Sequence, residues 1–565
     1  MKGAEYIAEF FYRRDLKRVF TFPGGTIAPL FDALARKGIE ITCARHEQGA
    51  GYMALAIARL TQSPQVVMVT SGPGATNLVT VVADAYFDST PLVVITGQVG
   101  TGDLNSGRKV RQCGFQQVDT VAIMKPIAKA VFQPKNPDEL PSILEQAFFI
   151  SLEGRPGPVV IDLPMDVQNS FLDPPRFPEW KSESPLPAIE PKVLSVIAAK
   201  IAGAERPMIL AGQGVLLSGA VLELRRLAEE CGIPVVTSLL GLGVVATNLS
   251  LSLGFIGHTG NQAASLAVHN ADLLLVVGAR LDVRQTGTCV DKFVPKGEVV
   301  RIDLDKAELE YSRVRSMNIL ADAKTALNGI LNEIKKRPKK DLSYWHDQIA
   351  GWQKAFPLSY ASHPGELKPQ QVIETVNRLT TGRKLVVTSG VGSHQQWTAR
   401  HFDFDYPARV FLTSGGHGAM GYDLPSAIGA QVARPDQPVI CFVGDGSFQI
   451  NIQELQTAVE LKTRIKIFVL DNKRLALVSQ FQMLNWASDP TTGNKLNPDF
   501  AAIARAYGIQ AFTVDKHEKL ETVAAQALAA DGPALVHCLV SPGEDVMPML
   551  LAGQTMDKMW PYDRQ

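Results

Sequence analysis

The sequence predicts an α/β protein made of three doubly wound parallel-sheet domains. Short apolar segments alternate with helical patterns along most of the chain, and glycine-rich turns follow many of these segments, as they do where a strand leads into a helix. The 565 residues are enough for about three to four globular domains. We expect an N-terminal domain at 1–171, a central domain at 190–335, a C-terminal domain at 366–545 and a terminal arm at 546–565.

Composition and charge narrow the class of partner. The 56 basic and 56 acidic residues balance, so the chain lacks the basic excess expected of a protein that binds nucleic acid or an anionic membrane. No apolar run approaches the roughly 18 residues needed to span a bilayer, and the amphipathic N-terminus lacks the apolar core of a secretion signal. Six scattered cysteines without a CxxC pair predict reduced thiols in a cytoplasmic protein. A small molecule is the expected partner.

The N-terminal region begins the alternation of strands and helices. Apolar strands are expected at Val19–Phe22, Ile39–Thr42, Val66–Thr70, Leu92–Thr96 and Val159–Asp162. Glycine-rich turns at 22–25 and 70–77 follow two of them, although such turns also serve simply to join a strand to a helix. Glu47 follows the second strand and opens an alanine-rich helix. A carboxylate in that position interacts favourably with the helix dipole, whether or not it has a further role.

The central region repeats the pattern after a linker. The segment 172–193 is dense in Pro, Ser and Glu and has no periodicity, which is typical of a linker between domains. Strands are expected near Met208–Ala211, Val235–Thr237, Leu273–Val277 and Val299–Ile302. The turns at 211–214 and 278–280 end strands in the way nucleotide-binding turns do. Neither contains a complete GxGxxG pattern, so alone each is a weak sign of a nucleotide.

The C-terminal region contains the most informative stretch, at 443–472. An apolar strand ends at Gly444-Asp445-Gly446, an amphipathic helix follows, and a second strand ends at Asn472. In a parallel sheet both strand ends open at one edge, where ligands bind, so Asp445 and Asn472 should meet there. Hard oxygen ligands suit Mg²⁺ holding a diphosphate, and flanking glycines allow close approach to phosphates. A lone GDG sequence could equally be an ordinary turn.

The order of the motifs is more specific than any one of them. From about Val19 to Asn472 the chain carries PGG, RHEQGA, SGPGATN, GFQQVD, GRPGPVVIDLP, GARLDVRQTG, GVGSHQQW, SGGHGAMGYDLP and GDGSF followed by DN. This series resembles thiamine diphosphate (ThDP) enzymes, and in particular the catalytic subunit of acetohydroxyacid (acetolactate) synthase. The resemblance implies an N-terminal pyrimidine-binding domain, a central FAD-binding domain and a C-terminal diphosphate and Mg²⁺ domain. It also implies a homodimer or homotetramer with active sites between subunits, and a regulatory subunit as a candidate partner.

The resemblance assigns roles residue by residue. Glu47 would bond N1′ of the aminopyrimidine so that the cofactor becomes its own base, Gln116 would lie beside the reacting centre, and Met420 would support the bent cofactor. The other pyrimidine and diphosphate positions are Gly24, Pro73, Asn77, Val391, Gly392, Ser393, His394, Gly418, Gly446 and Ser447. The metal would be held by Asp445, Asn472 and the main-chain carbonyl of Arg474. FAD would contact Arg155, Gly212, Gly214, Thr237, Leu239, His258, Thr259, Gly278, Arg280, Arg284 and Asp303.

The reaction implied by the resemblance is decarboxylation of pyruvate and transfer of the two-carbon unit to a second 2-oxo acid, which gives 2-acetolactate. Phe115, Leu477, Val478 and Phe481 would lie on the substrate side. The chain departs from the family's motifs at several of these places. Phe481 replaces a Trp, Ser479 a Met, Met165 a Lys, Val283 an Asp, His417 a Leu, Asp423 a Gly and Asp471 an Asn. The departures leave the choice of acceptor open.

Three other functions share some of these features. A related ThDP carboligase would use another ketone or a ketosugar as acceptor and differ only in its pocket. A ThDP-dependent 2-oxo acid decarboxylase or oxidase is a second alternative, although the adjacent histidine pair typical of simple decarboxylases is missing from the sequence. A non-catalytic homologue is disfavoured by the presence of Glu47, Asp445 and Asn472 together.

Overall fold

The computed structural model describes residues 1–104, 107–172, 177, 186–493 and 496–562. Most of the predicted linker at 172–193 therefore lies outside the described residues. The described part contains three six-stranded sheets, and each sheet is parallel throughout. The predicted fold class is confirmed. Within the described ranges, every helix is too short or too polar to cross a membrane.

The N-terminal sheet has the strand order β2-β1-β3-β4-β6-β5. Its strands are β1 Arg18–Phe22, β2 Glu40–Cys43, β3 Gln65–Val69, β4 Leu92–Gln98, β5 Ala130–Phe132 and β6 Pro158–Pro164. Its helices are α1 Gly3–Arg13, α2 Ala28–Arg36, α3 Glu47–Thr61, α4 Pro73–Asn77, α5 Val79–Phe87, α6 Thr120–Met124, α7 Leu140–Leu152 and α8 Met165–Asn169. The inner strands β3, β4 and β6 are nearly continuously buried because helices cover both faces of the sheet, whereas the edge strands β2 and β5 are partly exposed.

The central sheet has a different order, β12-β11-β10-β7-β8-β9. Its strands are β7 Pro207–Ala211, β8 Val235–Thr237, β9 Ser252–Phe255, β10 Leu273–Val277, β11 Glu298–Asp303 and β12 Met317–Leu320. Its helices are α9 Pro191–Gly203, α10 Gln213–Leu217, α11 Val221–Cys231, α12 Gln262–Asn270, α13 Val283–Thr286, α14 Lys306–Glu310, α15 Ala323–Ile334 and α16 Ser343–Ala355. The order reverses between β7 and β10, the place where dinucleotides bind in sheets of this kind.

The C-terminal sheet repeats the order of the first, as β14-β13-β15-β16-β18-β17. Its strands are β13 Leu385–Thr388, β14 Arg409–Leu412, β15 Val439–Gly444, β16 Lys466–Asp471, β17 Gln510–Val514 and β18 Ala534–Leu539. Its helices are α17 Pro369–Leu379, α18 Ser393–His401, α19 Asp423–Ala433, α20 Asp445–Ile450, α21 Glu454–Glu460, α22 Ala476–Trp486, α23 Phe500–Ala506 and α24 His517–Ala529. The first and third domains thus share one topology around a divergent middle.

The three domains are packed against one another by buried contacts. Helix α3 of the N-terminal domain lies on α19 of the C-terminal domain, and side chains of both belong to one hydrophobic cluster. The arm after β18 returns to the central domain, where the Leu550 amide donates to the His258 carbonyl at 2.7 Å. Met549, Met556 and Met559 of this arm are buried, whereas Met547 is exposed. The arm is therefore mainly a packing element.

Candidate functional site

Glu47 is held at the first position of α3. The preceding His46 caps the helix, because its Nδ1 accepts from the Gln48 amide at 3.1 Å. The Glu47 carboxylate is only 6 % exposed, and its Oε2 accepts from Asn77 Nδ2 at 2.9 Å. Two of the predicted pyrimidine-side residues are therefore in direct contact. The bond to Asn77 fixes the direction in which the Glu47 carboxylate points.

The start of α3 is also held by the C-terminal domain. The Arg45 amide donates to Glu454 Oε1 at 3.0 Å, and Asn451 Nδ2 donates to Gln48 Oε1 at 3.1 Å. A side chain at Gly49 would overlap the Glu454 carboxylate, so only glycine allows this approach. Burial raises the pKa of Glu454 above its ordinary value, against the lowering effect of its hydrogen bonds. Elements of two domains therefore set the position of Glu47.

Gln116 lies at the turn that begins α4. A Cβ placed on Gly72, whose φ is +60°, would come within 2.7 Å of the Gln116 carbonyl oxygen. This packing places Gln116 against the turn that contains Gly72. Gly24 faces the Thr70 side chain so closely that a Cβ there would overlap it. The structure thus gathers the predicted pyrimidine-side turns at the carboxyl ends of β1 and β3.

Most of the predicted diphosphate residues lie at the switch point of the third sheet, after β13 and β15, and Gly418 and Met420 follow β14. Gly392 has a φ of +145°, which an L side chain rarely adopts, and it caps α18. The Ser393 hydroxyl at the start of this helix is buried and has no hydrogen-bond partner among the described residues, a state expected of a group that awaits a polar ligand. A Cβ on Gly446 would lie 2.5 Å from Leu475 Cδ2 and 3.4 Å from Met420 Cε. These features fit a phosphate-bearing group.

Asp445 and Asn472 follow two adjacent parallel strands, which pair Gly444 with Leu470. Both side chains are almost fully buried. Asn472 Oδ1 accepts from the Arg474 amide at 3.3 Å, which places the Arg474 main chain beside the expected ligands. The described ranges contain no group of three or more His, Cys, Asp or Glu side chains that could hold a metal ion. A cation here would therefore need amide and main-chain oxygens beside the Asp445 carboxylate, as in the predicted set.

Asp471, where the resembled family has Asn, belongs to a bonded network. Its Oδ2 faces His537 Nε2 at 2.9 Å, and its Oδ1 accepts from Asn497 Nδ2 at 2.7 Å. The same Asn497 amide donates to Asp445 Oδ2 at 2.6 Å. Burial raises the pKa of Asp471, but hydrogen bonds from His537 and Asn497 outweigh it and lower that pKa below its ordinary value. The extra carboxylate is thus compensated locally.

A cavity of about 470 Å³ opens where the three domains meet. Its size is within the range of small-molecule sites. Nine of the eleven predicted FAD positions line it: Arg155, Gly214, Leu239, His258, Thr259, Gly278, Arg280, Arg284 and Asp303. Val391 and Gly418 of the C-terminal domain complete the wall. The cavity therefore joins the switch point of the central sheet to the diphosphate side.

The two remaining FAD positions have other surroundings. Gly212 packs so closely against the Gly278 carbonyl that a side chain there would overlap it. Thr237 is buried and does not line the cavity, and among the described residues its hydroxyl has no hydrogen-bond partner. For Gly212 the contact accounts for the glycine through turn packing alone.

His258 gives the cavity a defined hydrogen-bond acceptor. Burial, reinforced by the nearby Arg284, lowers the pKa of His258 below its ordinary value, which favours the neutral imidazole. The ring Nδ1 lies 2.9 Å from the Leu550 carbonyl, which can only accept, so Nδ1 carries the proton. Nε2 of the neutral ring is then an acceptor. Arg280 and Arg284 provide donors in the same wall.

The predicted substrate-side residues are largely uncovered in the single chain. Phe115 is 84 % exposed, and Val478 and Phe481 on α22 are each 49 % exposed. Leu477 packs against the C-terminal core. The Phe481 ring contacts Trp486 edge to face, with ring centroids 5.5 Å apart. An indole is therefore present near the place where Phe481 replaces one.

Comparison with known proteins identifies the family. The chain matches the three thiamine pyrophosphate enzyme domains in order: the N-terminal TPP binding domain at 1–123, the central domain at 194–330 and the C-terminal TPP binding domain at 390–538. It is 36 % identical to the acetolactate synthase isozyme 3 large subunit of Escherichia coli over 99 % of this chain and 98 % of that one. The chain belongs to the acetolactate synthase family.

Two other members show how widely the likeness extends. The acetolactate synthase catalytic subunit, mitochondrial, of Saccharomyces cerevisiae is 37 % identical over 100 % of this chain and 84 % of that protein. A probable acetolactate synthase large subunit of Methanocaldococcus jannaschii is 37 % identical over 98 % of this chain and 94 % of that protein. The suspected acetolactate synthase resemblance is confirmed over the whole length of the chain.

Several residues that contact the candidate site of this acetolactate synthase family member were not predicted from the sequence as site residues. Asn497 and His537 bond the network around the expected metal ligands, and Glu454 holds the start of α3. His417 stacks on Phe87 at the edge of the cavity, with ring centroids 5.7 Å apart. No spacing in the sequence links these residues to their partners. For His417 alone, the departure from the family motif was a usable signal.

Proposed function

We propose that this chain is a ThDP- and Mg²⁺-dependent carboligase that decarboxylates pyruvate and transfers the two-carbon unit to a second 2-oxo acid, giving 2-acetolactate. The full-length match to acetolactate synthases supports the reaction. The observation that carries the proposal is the pair of half-sites in two sheets with the same strand order, one containing Glu47 after β2 and the other containing Asp445 and Asn472 after β15 and β16.

The protein's own residues perform five tasks in this proposal. Asp445, Asn472 and the Arg474 carbonyl hold Mg²⁺, while Gly392, the Ser393 hydroxyl and His394 receive the diphosphate. Glu47, oriented by Asn77, accepts a hydrogen bond from the pyrimidine. Met420 supports the ring system, and Gln116 borders the reacting carbon. When bound, ThDP would supply a nucleophilic carbon that adds to the pyruvate carbonyl and a cationic ring that delocalises the electron pair released as CO₂ leaves.

We further propose that the active site is completed by a second copy of the chain, in a homodimer or homotetramer. The exposed apolar side chains Phe115, Val478 and Phe481 support this, because such surfaces in a single chain mark interaction sites. Several relatives are named large or catalytic subunits, which supports a regulatory subunit as a further partner. We also propose a cytoplasmic location, which the scattered cysteines support, and a place in branched-chain amino acid biosynthesis, which follows from the resemblance to acetolactate synthases.

FAD is proposed as the occupant of the cavity between the three domains. The glycines at 214 and 278, the arginines at 155, 280 and 284, and the His258 acceptor form a wall suited to a dinucleotide at the switch point of the central sheet. The flavin content of the purified protein, measured by absorbance, tests whether FAD binds.

We also propose that the domains divide at residues 171, 190, 335, 366 and 545.

The function is tested by incubating the purified protein with [2-¹³C]pyruvate, ThDP and Mg²⁺ and identifying the products by NMR. We expect 2-acetolactate. Acetaldehyde as the main product would indicate a decarboxylase, and acetate with oxygen uptake would indicate an oxidase. If pyruvate is consumed only when another ketone or ketosugar is added, the chain is a carboligase with a different acceptor.

A further inference from the structure

We infer that Asp423 is a positioning residue for the diphosphate site, an inference that rests on the proposed ThDP-dependent function. Asp423 is the first residue of α19 and only 1 % exposed. It occupies the place of a glycine in the resembled family motif, so the carboxylate is a feature of this chain. It bonds to residues of the loops after β13 and β15, and it ends the loop after β14; all three loops carry residues assigned to the diphosphate.

One carboxylate joins all three loops. Asp423 Oδ1 accepts from the Gly390 amide after β13 and faces His394 Nε2 in α18 at 3.0 Å. Asp423 Oδ2 accepts from the Ser447 hydroxyl in α20. That hydroxyl also accepts from the Gly421 amide at 2.8 Å. Asp423 therefore decides where the Ser447 proton points and how the three loops are spaced.

Packing around His394 shows what this arrangement controls. A Cβ placed on Gly392 would lie 2.8 Å from His394 Nδ1, and one on Gly444 would lie 2.9 Å from it. The Nδ1 edge of the ring therefore faces the two glycine turns that flank the diphosphate and metal residues. With Nε2 held by Asp423, the ring cannot turn away from these turns without losing its partner.

A role confined to α19 would not explain the contacts that Asp423 makes with other elements. An acidic residue in the first turn interacts favourably with the helix dipole, but that interaction requires no contact with other elements. Both Asp423 oxygens are occupied by donors from outside α19. A Cβ on Gly390 would also come within 2.5 Å of Asp423 Oδ2, so the turn after β13 is shaped to the carboxylate. These contacts show that Asp423 links neighbouring loops to the start of α19.

The test compares Asp423→Asn with Asp436→Asn, an exposed aspartate just beyond the other end of α19. Dissociation constants are measured at fixed Mg²⁺ for ThDP, by quenching of tryptophan fluorescence, and for inorganic pyrophosphate, by calorimetry. We expect Asp423→Asn to weaken both by about tenfold or more, because an amide turns a donor toward groups that are themselves donors. The control should bind both as the unmutated protein does.

The kinetic signature separates positioning from catalysis. At saturating ThDP, kcat of Asp423→Asn should fall by much less than its ThDP affinity, since Asp423 acts through Ser447 and His394. Unchanged affinity for both probes, or a fall in kcat with unchanged affinity, overturns the inference. If Asp423→Asn does not fold, Asp423→Gly, the residue of the family motif, decides by the same criteria. If unmutated protein binds pyrophosphate but not ThDP, the proposed function fails while the pyrophosphate titration still judges Asp423.

Discussion

The turn that carries His417 and Gly418 is attached to the N-terminal domain by a buried ion pair, and Asp88→Ala would break it. Arg59 Nη2 and Asp88 Oδ2 are 2.6 Å apart, with side-chain exposures of 7 % and 0 %. The two Asp88 oxygens also accept from the amides of Gly415 at 2.8 Å and Gly416 at 2.6 Å. The substitution removes three bonds and leaves one buried cation.

The expected cost follows from these contacts. Loss of one partner of a buried pair destabilises by about 3–5 kcal/mol, because the remaining charge is left uncompensated. Arg59 keeps bonds to the Thr413 carbonyl and the Thr90 hydroxyl, so we expect the lower end, about 3 kcal/mol. Glu521→Ala is the matched control. It breaks the Arg378–Glu521 pair, which is 59 % and 61 % exposed, and such solvent-exposed pairs contribute little to stability.

Urea unfolding of both variants, followed by far-ultraviolet circular dichroism, measures the difference. In a chain with three domains the transition need not be two-state, so the midpoint of the first unfolding step is the quantity to compare. Asp88→Ala should lower that midpoint clearly and Glu521→Ala hardly at all. Equal shifts in the two variants would refute the argument that the Arg59–Asp88 pair secures this turn.

Three further predictions concern the proposed chemistry. Glu47→Gln should fold and bind ThDP but slow exchange of the cofactor C2 proton by roughly 100-fold or more, measured by NMR, because an amide is a poor partner for the pyrimidine; an unchanged rate would make Glu47 structural. Asp445→Ala should abolish ThDP binding at micromolar Mg²⁺ in a titration, and unaltered affinity would remove Asp445 from the metal site. Phe481→Trp should raise the preference for 2-oxobutyrate over pyruvate in mixed-substrate assays, by up to the 1–3 kcal/mol that one methylene is worth. No change would show that Trp486 or another group sets the acceptor.

Much of the fold could be predicted because its signals are local. Apolar runs broken by glycine turns give parallel strands and their carboxyl ends, and these ends placed Asp445 and Asn472 on neighbouring strands. The shared strand order of the outer domains could not be read from the sequence, since order depends on which distant strands pair. The substitution at Asp423 was visible, but its three partners were not.

The remaining site residues were out of reach for a related reason. Asn497 bonds Asp445 from 52 positions away, and Arg45 bonds Glu454 across 409. Such contacts are set by how domains dock, which leaves no periodic pattern in the chain. Gly212 has a second possible reason for its identity. Its turn resembles a ligand-binding turn, and close packing against Gly278 independently requires a glycine there.

The meeting of three domains around one cavity makes its occupant a thermodynamic partner in folding. Arg155, His258 and Gly418 come from three separate sheets and share this wall, so a bound molecule touches surfaces that only the docked arrangement brings together. A ligand present at 100 times its dissociation constant would stabilise that arrangement by about 2.7 kcal/mol. The supply of the small molecule during synthesis would then govern how much of the chain escapes proteolysis, whether or not the molecule takes part in turnover.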